Sequence, residues 1–421
     1  MNKKILAIIN ILVISILLNS KQNNLIAQQS KGFELLTFLS VNGDKIINEE
    51  GRAVKLSGIH YDAFYPISKR IYFASRQSGR NIDRYNTKIS KYWFTDDDIK
   101  IIKDLGANVV RIGFRLWQIE KKPYTYSEES LRHLDDTIAK FGENGIYVIL
   151  DLHAAGQNTL RHNNEYGNIL WDDNKLQDRV AALWGILAER YRDNPYIAGY
   201  DIINEPQAPT KRILHSFYQK VIDKIREKDK RHILFIEWNL YKTKDILFGG
   251  KYDDSNIVLS VHFYRPSKFA QQGLHGLFTG QKYPGVYNGR YWDKSEIDKC
   301  FSQILGINEV KGKPLFVGEF SANVVDGGKD TLQWIEDVID VLNNKEIHYT
   351  FFLYKFAFTP SFAYYQPDEQ LGKQLKILVN QLVSGKLSLE DITDEQKELF
   401  LTKKYRSPHG LRQILKEGFK K

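Results

Sequence analysis

The sequence predicts an α/β protein folded as one closed (β/α)8 TIM barrel, and three observations carry the prediction. Eight short apolar runs recur along the chain, amphipathic segments of helical period separate them, and polar residues stand at the carboxyl ends of the runs. Alternating strand and helix produces a parallel sheet with crossover helices. An open sheet would need a reversal in strand order, whereas eight strands with seven good helices suit closure.

The runs cover residues 53–58, 109–113, 147–152, 199–203, 233–237, 257–263, 315–318 and 349–353. Helical patterns cover 96–105, 128–141, 176–191, 211–226, 295–305, 331–342 and 369–382. The fifth crossover is the weak one, with only a short candidate at 242–247. Before the first run, Asn42-Gly43 lies between short apolar stretches in 38–47, a two-residue hairpin signal. A hairpin there would plug the barrel floor. Long loops follow the first run (62–93) and the sixth (265–293), both rich in aromatic residues. They leave the carboxyl ends of strands, the face on which such barrels place their sites.

Composition limits what else the chain can be. At 421 residues, 42% hydrophobic and 26% charged, it can bury a large core, and neither a low-complexity tract nor a short repeat interrupts it. Cys300 is the single cysteine, which excludes an internal disulfide and a thiolate metal cluster. With Ile297 and Phe301 at helical spacing, it is expected to be a small buried hydrophobe. The net charge of +9 comes without a dense basic face interleaved with aromatics, so no nucleic-acid partner is expected. The most basic stretches, 69–84 and the tail, are expected to be solvated surface.

The amino terminus has a signal-peptide layout: Asn2-Lys3-Lys4, an apolar stretch over 5–18, then a polar stretch with Ala27 as candidate cleavage residue. The apolar stretch is shorter than the roughly 20 residues that span a bilayer. The expected division is therefore a signal peptide at 1–27, a catalytic barrel at 28–384 and a helical extension of it at 385–421. Export to the periplasm or the exterior follows, with no membrane insertion after cleavage and a monomer as the default state.

The residues that carry chemistry sit at strand ends. Run two ends near Arg111, run three at Asp151-Leu152-His153, run four at Asn204-Glu205-Pro206, run six at His262-Phe263-Tyr264 and run seven at Gly318-Glu319-Phe320. In a closed barrel these ends converge on one mouth. Two glutamates there can supply the acid and the base that cleavage of a glycosidic bond requires. Arg111 would keep one of them ionised, and the Tyr264 phenol could hydrogen-bond it. Asp151 and Asp201 lie just before the site and are expected to support it.

Asn204-Glu205-Pro206 after Gly199-Tyr200-Asp201-Ile202-Ile203, with Val317-Gly318-Glu319-Phe320 further on, resembles glycoside hydrolase family 5, the cellulase-type family of the retaining (β/α)8 glycosidases. The likeness runs from Val41-Asn42-Gly43 through Leu56-Ser57-Gly58-Ile59-His60 to the eighth run. Residue by residue, it implies that Glu205 is the general acid/base and Glu319 the nucleophile. Arg111 would orient Glu319, His153 and Asn204 would contact the sugar, and His262 and Tyr264 would complete the site. It further implies no metal or organic cofactor and an oligo- or polysaccharide substrate. A β-1,4- or mixed-linkage glucan comes first, with mannan, xyloglucan or β-1,3-glucan behind it. The departure is in run eight, His348-Tyr349-Thr350-Phe351-Phe352-Leu353, which lacks the family's sugar-stacking tryptophan. Phe352 or Tyr349 would replace it, and Trp238 is a further candidate platform.

Two rivals stand beside this reading. His60-x-Asp62 with His153 and His262 superficially resembles a metal-dependent hydrolase barrel. A noncatalytic glycan-binding barrel would keep the aromatics without needing both glutamates.

Overall fold

The computed structural model describes residues 35–64, 82–155, 169–239, 248–273, 278–323, 328–357, 362–388 and 390–420. Eight parallel strands close a barrel: β1 (Ser57–Asp62), β2 (Val109–Arg115), β3 (Tyr147–Ala154), β4 (Ile197–Asp201), β5 (Ile233–Glu237), β6 (Ile257–Phe263), β7 (Leu315–Phe320) and β8 (His348–Phe351). They neighbour one another in chain order, and β8 pairs with β1. Helices Asp96–Asp104, Glu128–Gly142, Asn174–Tyr191, Lys211–Arg226, Lys294–Leu305 and Gly328–Asn344 make the crossovers. Four of these start where a short polar side chain accepts backbone N–H groups of the first turn, at Ser127, Asp173, Thr210 and Asp293. The expected signal peptide and the short candidate at 242–247 lie outside the described residues, as does most of the basic stretch at 69–84. Among the described residues, no helix is long and apolar enough to cross a membrane.

Strand alternation sorts the barrel interior by height, because every second side chain points inward. Val109, Ile149, Phe235 and Val258, low on their strands, join Leu56, Ala198 and Phe316 in one apolar cluster. Leu39 and Ile46, from the hairpin Ser40–Asn42 with Lys45–Ile47, complete that cluster, so the hairpin plugs the floor as expected. Gly43 in its turn adopts a φ of 63°, which favours glycine. Higher inward positions on the same strands carry Arg111, Asp151, Glu237 and His262. A dry floor thus supports a charged mouth.

The first strand lies further along the chain than the apolar run at 53–58 indicates. Ala53 instead bridges Ile47 and extends the hairpin. Ser57–Asp62 is buried along its whole length, so it has no alternation by which sequence could mark it. The loop expected at 62–93 ends in a helix, Ile82–Trp93, and the one at 265–293 holds a hairpin, Gly285–Tyr287 with Arg290–Trp292. Cys300 is buried in its helix, as its spacing indicates.

After β8, helix Glu369–Ser384 contacts Ile82–Trp93. Helix Leu411–Phe419 packs on Gly328–Asn344, while Arg412 approaches Asp104 at 3.7 Å, so this last helix lies between the crossovers before β8 and before β2. The Ser57 and Tyr349 hydroxyls donate to the carbonyls of Phe419 (3.2 Å) and Gly418 (2.9 Å). A Cβ at Gly418 would come within 2.5 Å of an Ile339 methyl, a branched group with little freedom to yield. Gly418→Ala is therefore expected to cost about 1–3 kcal/mol, read as a lowered denaturation midpoint with an unchanged denaturant slope. Lys355, just past β8, anchors the intervening segment: its ammonium lies 4.3 Å and 4.5 Å from the Trp93 and Tyr405 ring centroids and donates to Thr402 Oγ1 at 3.0 Å.

Candidate active site

Arg111 is the hub of the mouth. β2 continues to Arg115, so Arg111 sits within the strand rather than near its end and is fully buried. Its Nε donates to Asp201 Oδ2 (2.9 Å), Nη1 to Glu319 Oε1 (3.0 Å), and Nη2 to Asn204 Oδ1 (2.9 Å) and Glu237 Oε1 (2.7 Å). Asp151 Oδ1 lies 3.1 Å from Nη2. His60 Nδ1 is 3.2 Å from Nη1, and since a guanidinium only donates, this nitrogen accepts and His60 carries its proton on Nε2. Burial holds His60 below the usual histidine range despite Asp62 beside it, which suits that neutral form.

Glu319, at the end of β7, is ringed by donors. Tyr264 donates its phenol proton to Oε2 at 2.9 Å, His262 Nδ1 lies 3.5 Å from the same oxygen, and His153 Nδ1 is 3.9 Å from Oε1. Burial alone would raise its pKa, but His262, Arg111 and His153 outweigh it and hold the carboxyl at about 2. Burial and the Glu319 charge in turn push the Tyr264 phenol well above its ordinary range, so it remains a donor. His262 is buried, which disfavours its cation, yet the Glu237 and Glu319 charges raise it well above the usual range. His153 is likewise raised against burial by Asp151, whose Oδ2 lies 2.8 Å from Nδ1.

Glu205 follows β4 on the opposite side and differs from Glu319 in setting. Its side chain is 28% exposed against 5% for Glu319. His262 Nδ1 lies 3.0 Å from Oε1, and the Glu205 N–H donates to Glu237 Oε2 at 2.7 Å. One oxygen of Glu205 and one of Glu319 lie within 4.8 Å of each other, with His262 beside both. Asn204 is held by its N–H to Leu152 O at 3.1 Å. Phe352, half-buried after β8, has its ring 4.9 Å from His60 and 6.2 Å from His153, nearly parallel to the latter at 7°. Tyr349 is instead fully buried and turned to the Gly418 carbonyl, so of the two aromatics it is Phe352 that stands by the mouth. Trp238 is half-buried just beyond Glu237.

The structure thus brings Arg111, His153, Asn204, Glu205, His262, Tyr264, Glu319 and Phe352 to one mouth. It adds Glu237, which sequence reasoning passed over except as the neighbour of Trp238. The signal was present: a lone carboxylate ends the apolar run Ile233-Leu234-Phe235-Ile236, the same pattern that marked the other strand ends. Three groups of acidic and histidine side chains come within metal-ligand spacing among the described residues: His60 with Asp151 and His153, Asp151 with Asp201 and Glu237, and Glu205 with His262 and Glu319. Arg111 lies 2.7–3.1 Å from every member of the second and touches two members of the first, filling the place of a cation. In the third, His262 is driven towards its cationic form, which has no lone pair for a metal.

A (β/α)8 barrel with two facing glutamates and converging hydrogen-bond donors at its mouth defines a glycoside hydrolase as the class of protein. The profile of the cellulase family, glycosyl hydrolase family 5, matches residues 74–357, and the chain belongs to that family. A β-xylosidase of Phanerodontia chrysosporium is 27% identical over 349 residues, covering 76% of this chain and 71% of that protein. Endoglucanase C of Acetivibrio thermocellus is 26% identical over 283 residues, 61% of this chain and 82% of the relative. Among solved structures, the endoglucanase Cel5A of Thermotoga maritima superposes with a TM-score of 0.55 at 19% identity, over 73% of this chain and 90% of its own, a likeness of fold.

Proposed function

We propose that this family 5 enzyme is a retaining β-glycosidase acting on β-linked glucan in the manner of an endo-β-1,4-glucanase, with Glu319 as nucleophile and Glu205 as acid/base. The observation that carries the reading is the pairing itself: two carboxylates with oxygens within 4.8 Å, one buried among cations and donors, the other partly open to solvent. Carboxyl groups about 5–5.5 Å apart leave no room for an intervening water and permit direct attack, whereas inversion needs roughly 6.5–9.5 Å.

In the first step Glu319 Oε attacks the anomeric carbon while Glu205 gives its proton to the departing glycosidic oxygen. In the second, Glu205 takes a proton from water, whose oxygen displaces Glu319, and the β configuration returns. Arg111 and Tyr264 hold Glu319 ionised and aimed. Asn204 meets the 2-hydroxyl, His153 contacts the sugar being cleaved, His262 bridges the pair, and Phe352 offers a ring smaller than tryptophan for stacking. The glucan assignment draws on relatives named endoglucanase and glucan 1,3-β-glucosidase. Residues 1–27 would direct export, and a mature protein beginning near residue 28 in the periplasmic or external fraction checks that step.

Proton NMR of the first product decides the mechanism: retention predicts that the β-anomer appears before mutarotation, and an initial α-anomer would overturn the assignment. The same samples, run against cellulose, mixed-linkage glucan, mannan, xyloglucan and β-1,3-glucan with product sizing, decide the substrate. Release of monosaccharide alone would overturn the endo-acting reading.

A further inference from the structure

One buried carboxylate of the mouth has no part in the two chemical steps. Glu237 ends β5 and is 1% exposed. Its Oε1 accepts from Arg111 Nη2 at 2.7 Å and lies 3.2 Å from His262 Nε2, while its Oε2 accepts the backbone N–H of Glu205 at 2.7 Å. A single side chain therefore touches the guanidinium that holds Glu319, the imidazole beside the Glu205 carboxyl, and the peptide that carries Glu205.

Neutralising Arg111 does not account for this placement. Asp151, Asp201 and Glu319 already surround the guanidinium, and a fourth buried carboxylate on one cation adds repulsion and desolvation. What Glu237 alone supplies is the contact to the Glu205 backbone. That contact falls where it is needed, since Glu205 has a φ of 46°, in the left-handed region that a residue with a Cβ disfavours. A charge-assisted hydrogen bond is stronger and more directional than a neutral one, and here it fixes the peptide from which the acid/base side chain projects.

We propose that Glu237 is the positioning residue of the acid/base, its carboxylate fixing the Glu205 peptide and tying it through His262 and Arg111 to Glu319. This rests on the assignment of Glu205 given under Proposed function. The other polar groups facing Glu237 do not substitute for it. Asp201 and Asp151 belong to the Arg111 cluster, and the Tyr218 hydroxyl, from helix Lys211–Arg226, donates at 3.0 Å to the Glu237 carbonyl rather than to its carboxylate. The consequence is selective. Proton donation matters most when the leaving group is a poor one, so a misplaced acid slows alkyl or phenyl glycosides while an activated leaving group departs almost unaided.

The test compares phenyl and 2,4-dinitrophenyl β-glycosides of the sugar that the polysaccharide panel selects, with wild-type, Glu205→Gln, Glu237→Gln and Glu237→Asp proteins. For both Glu237 variants, kcat/KM on the phenyl glycoside is expected to fall about 100-fold, and on the dinitrophenyl glycoside less than about 5-fold. Aspartate keeps the charge but lacks the reach, so it decides the matter if the glutamine variant does not fold. Equal losses on both substrates, or full activity in Glu237→Asp, would overturn the proposal while leaving Glu205 in its role, provided Glu205→Gln shows the leaving-group dependence. If Glu205→Gln lacks that dependence, the acid/base assignment itself falls, and the role of Glu237 with it.

Discussion

Replacing Glu319 by alanine is expected to lower kcat by about 10⁴-fold or more while the protein still binds its glycan. The carboxylate forms the covalent bond in the first step, and the groups beside it are poor substitutes: Tyr264 is held as a neutral phenol by burial, and the Glu237 charge drives His262 towards its cationic, non-nucleophilic form. The substitution also leaves space beside the anomeric carbon. Azide in that space would attack from the side the carboxylate used, with Glu205 free to protonate the leaving group, and the product would be the α-glycosyl azide. Recovery of activity with azide and an α-linked product supports the nucleophile assignment. Undiminished hydrolysis in Glu319→Ala would remove it, and binding with no turnover in the unmutated protein would turn the reading towards a glycan-binding barrel.

The second large effect is expected at Arg111. Removing its guanidinium leaves Asp151, Asp201, Glu237 and Glu319 facing one another in a buried space, and breaking a buried ion pair by deleting one partner costs about 3–5 kcal/mol. Arg111→Met is expected to lose much of the barrel's stability, read by chemical denaturation at neutral pH. Arg111→Lys keeps the charge but cannot reach all six partners of the guanidinium with one ammonium, so it should fold and show a deep loss of kcat. Its acid limb should also move. Glu319 is depressed from 4.5 to about 2 in the folded protein, so the stabilisation from its ionised form is complete above about pH 4.5 and is lost as the pH falls towards 2. Weakening the Arg111 contact raises that folded value, and both activity and stability should then fail at a higher pH than in the wild type. An acid limb unchanged in Arg111→Lys would mean that His262 and His153 hold Glu319 ionised without it.

How much of this was legible beforehand depended on the signal each feature leaves in one dimension. The strands β2 to β8 stand out because each is a short apolar run between helical patterns, and the polar residues at most of their ends break that apolar pattern. The position of β1 was misplaced because Ala53-Val54 is apolar for the sake of the hairpin, whereas Ser57–Asp62 is buried on both faces and shows no period. The hairpin at 285–292 and the helix Ile82–Trp93 were hidden inside segments legible only as long loops. Glu237 ends its apolar run as the other strand-end carboxylates do, but Trp238 beside it has the character of a sugar platform, and one dimension does not tell which of two adjacent side chains faces the barrel interior.

The sequence by itself determined the barrel, the floor plug, the family and most of the strand-end residues, because hydrophobic period and residue type are properties of the chain taken locally. Only the tertiary structure decided how those residues act on one another. It buried Arg111 at the centre of the mouth among four carboxylates, turned Phe352 rather than Tyr349 towards the site, brought the two glutamates within 4.8 Å, and gave Glu205 its tether to Glu237. The physical reason is that these are distances and fields between residues far apart in the chain, Arg111 and Glu319 being separated by 208 positions, and an ionisation state depends on the sum of such neighbours rather than on any one of them.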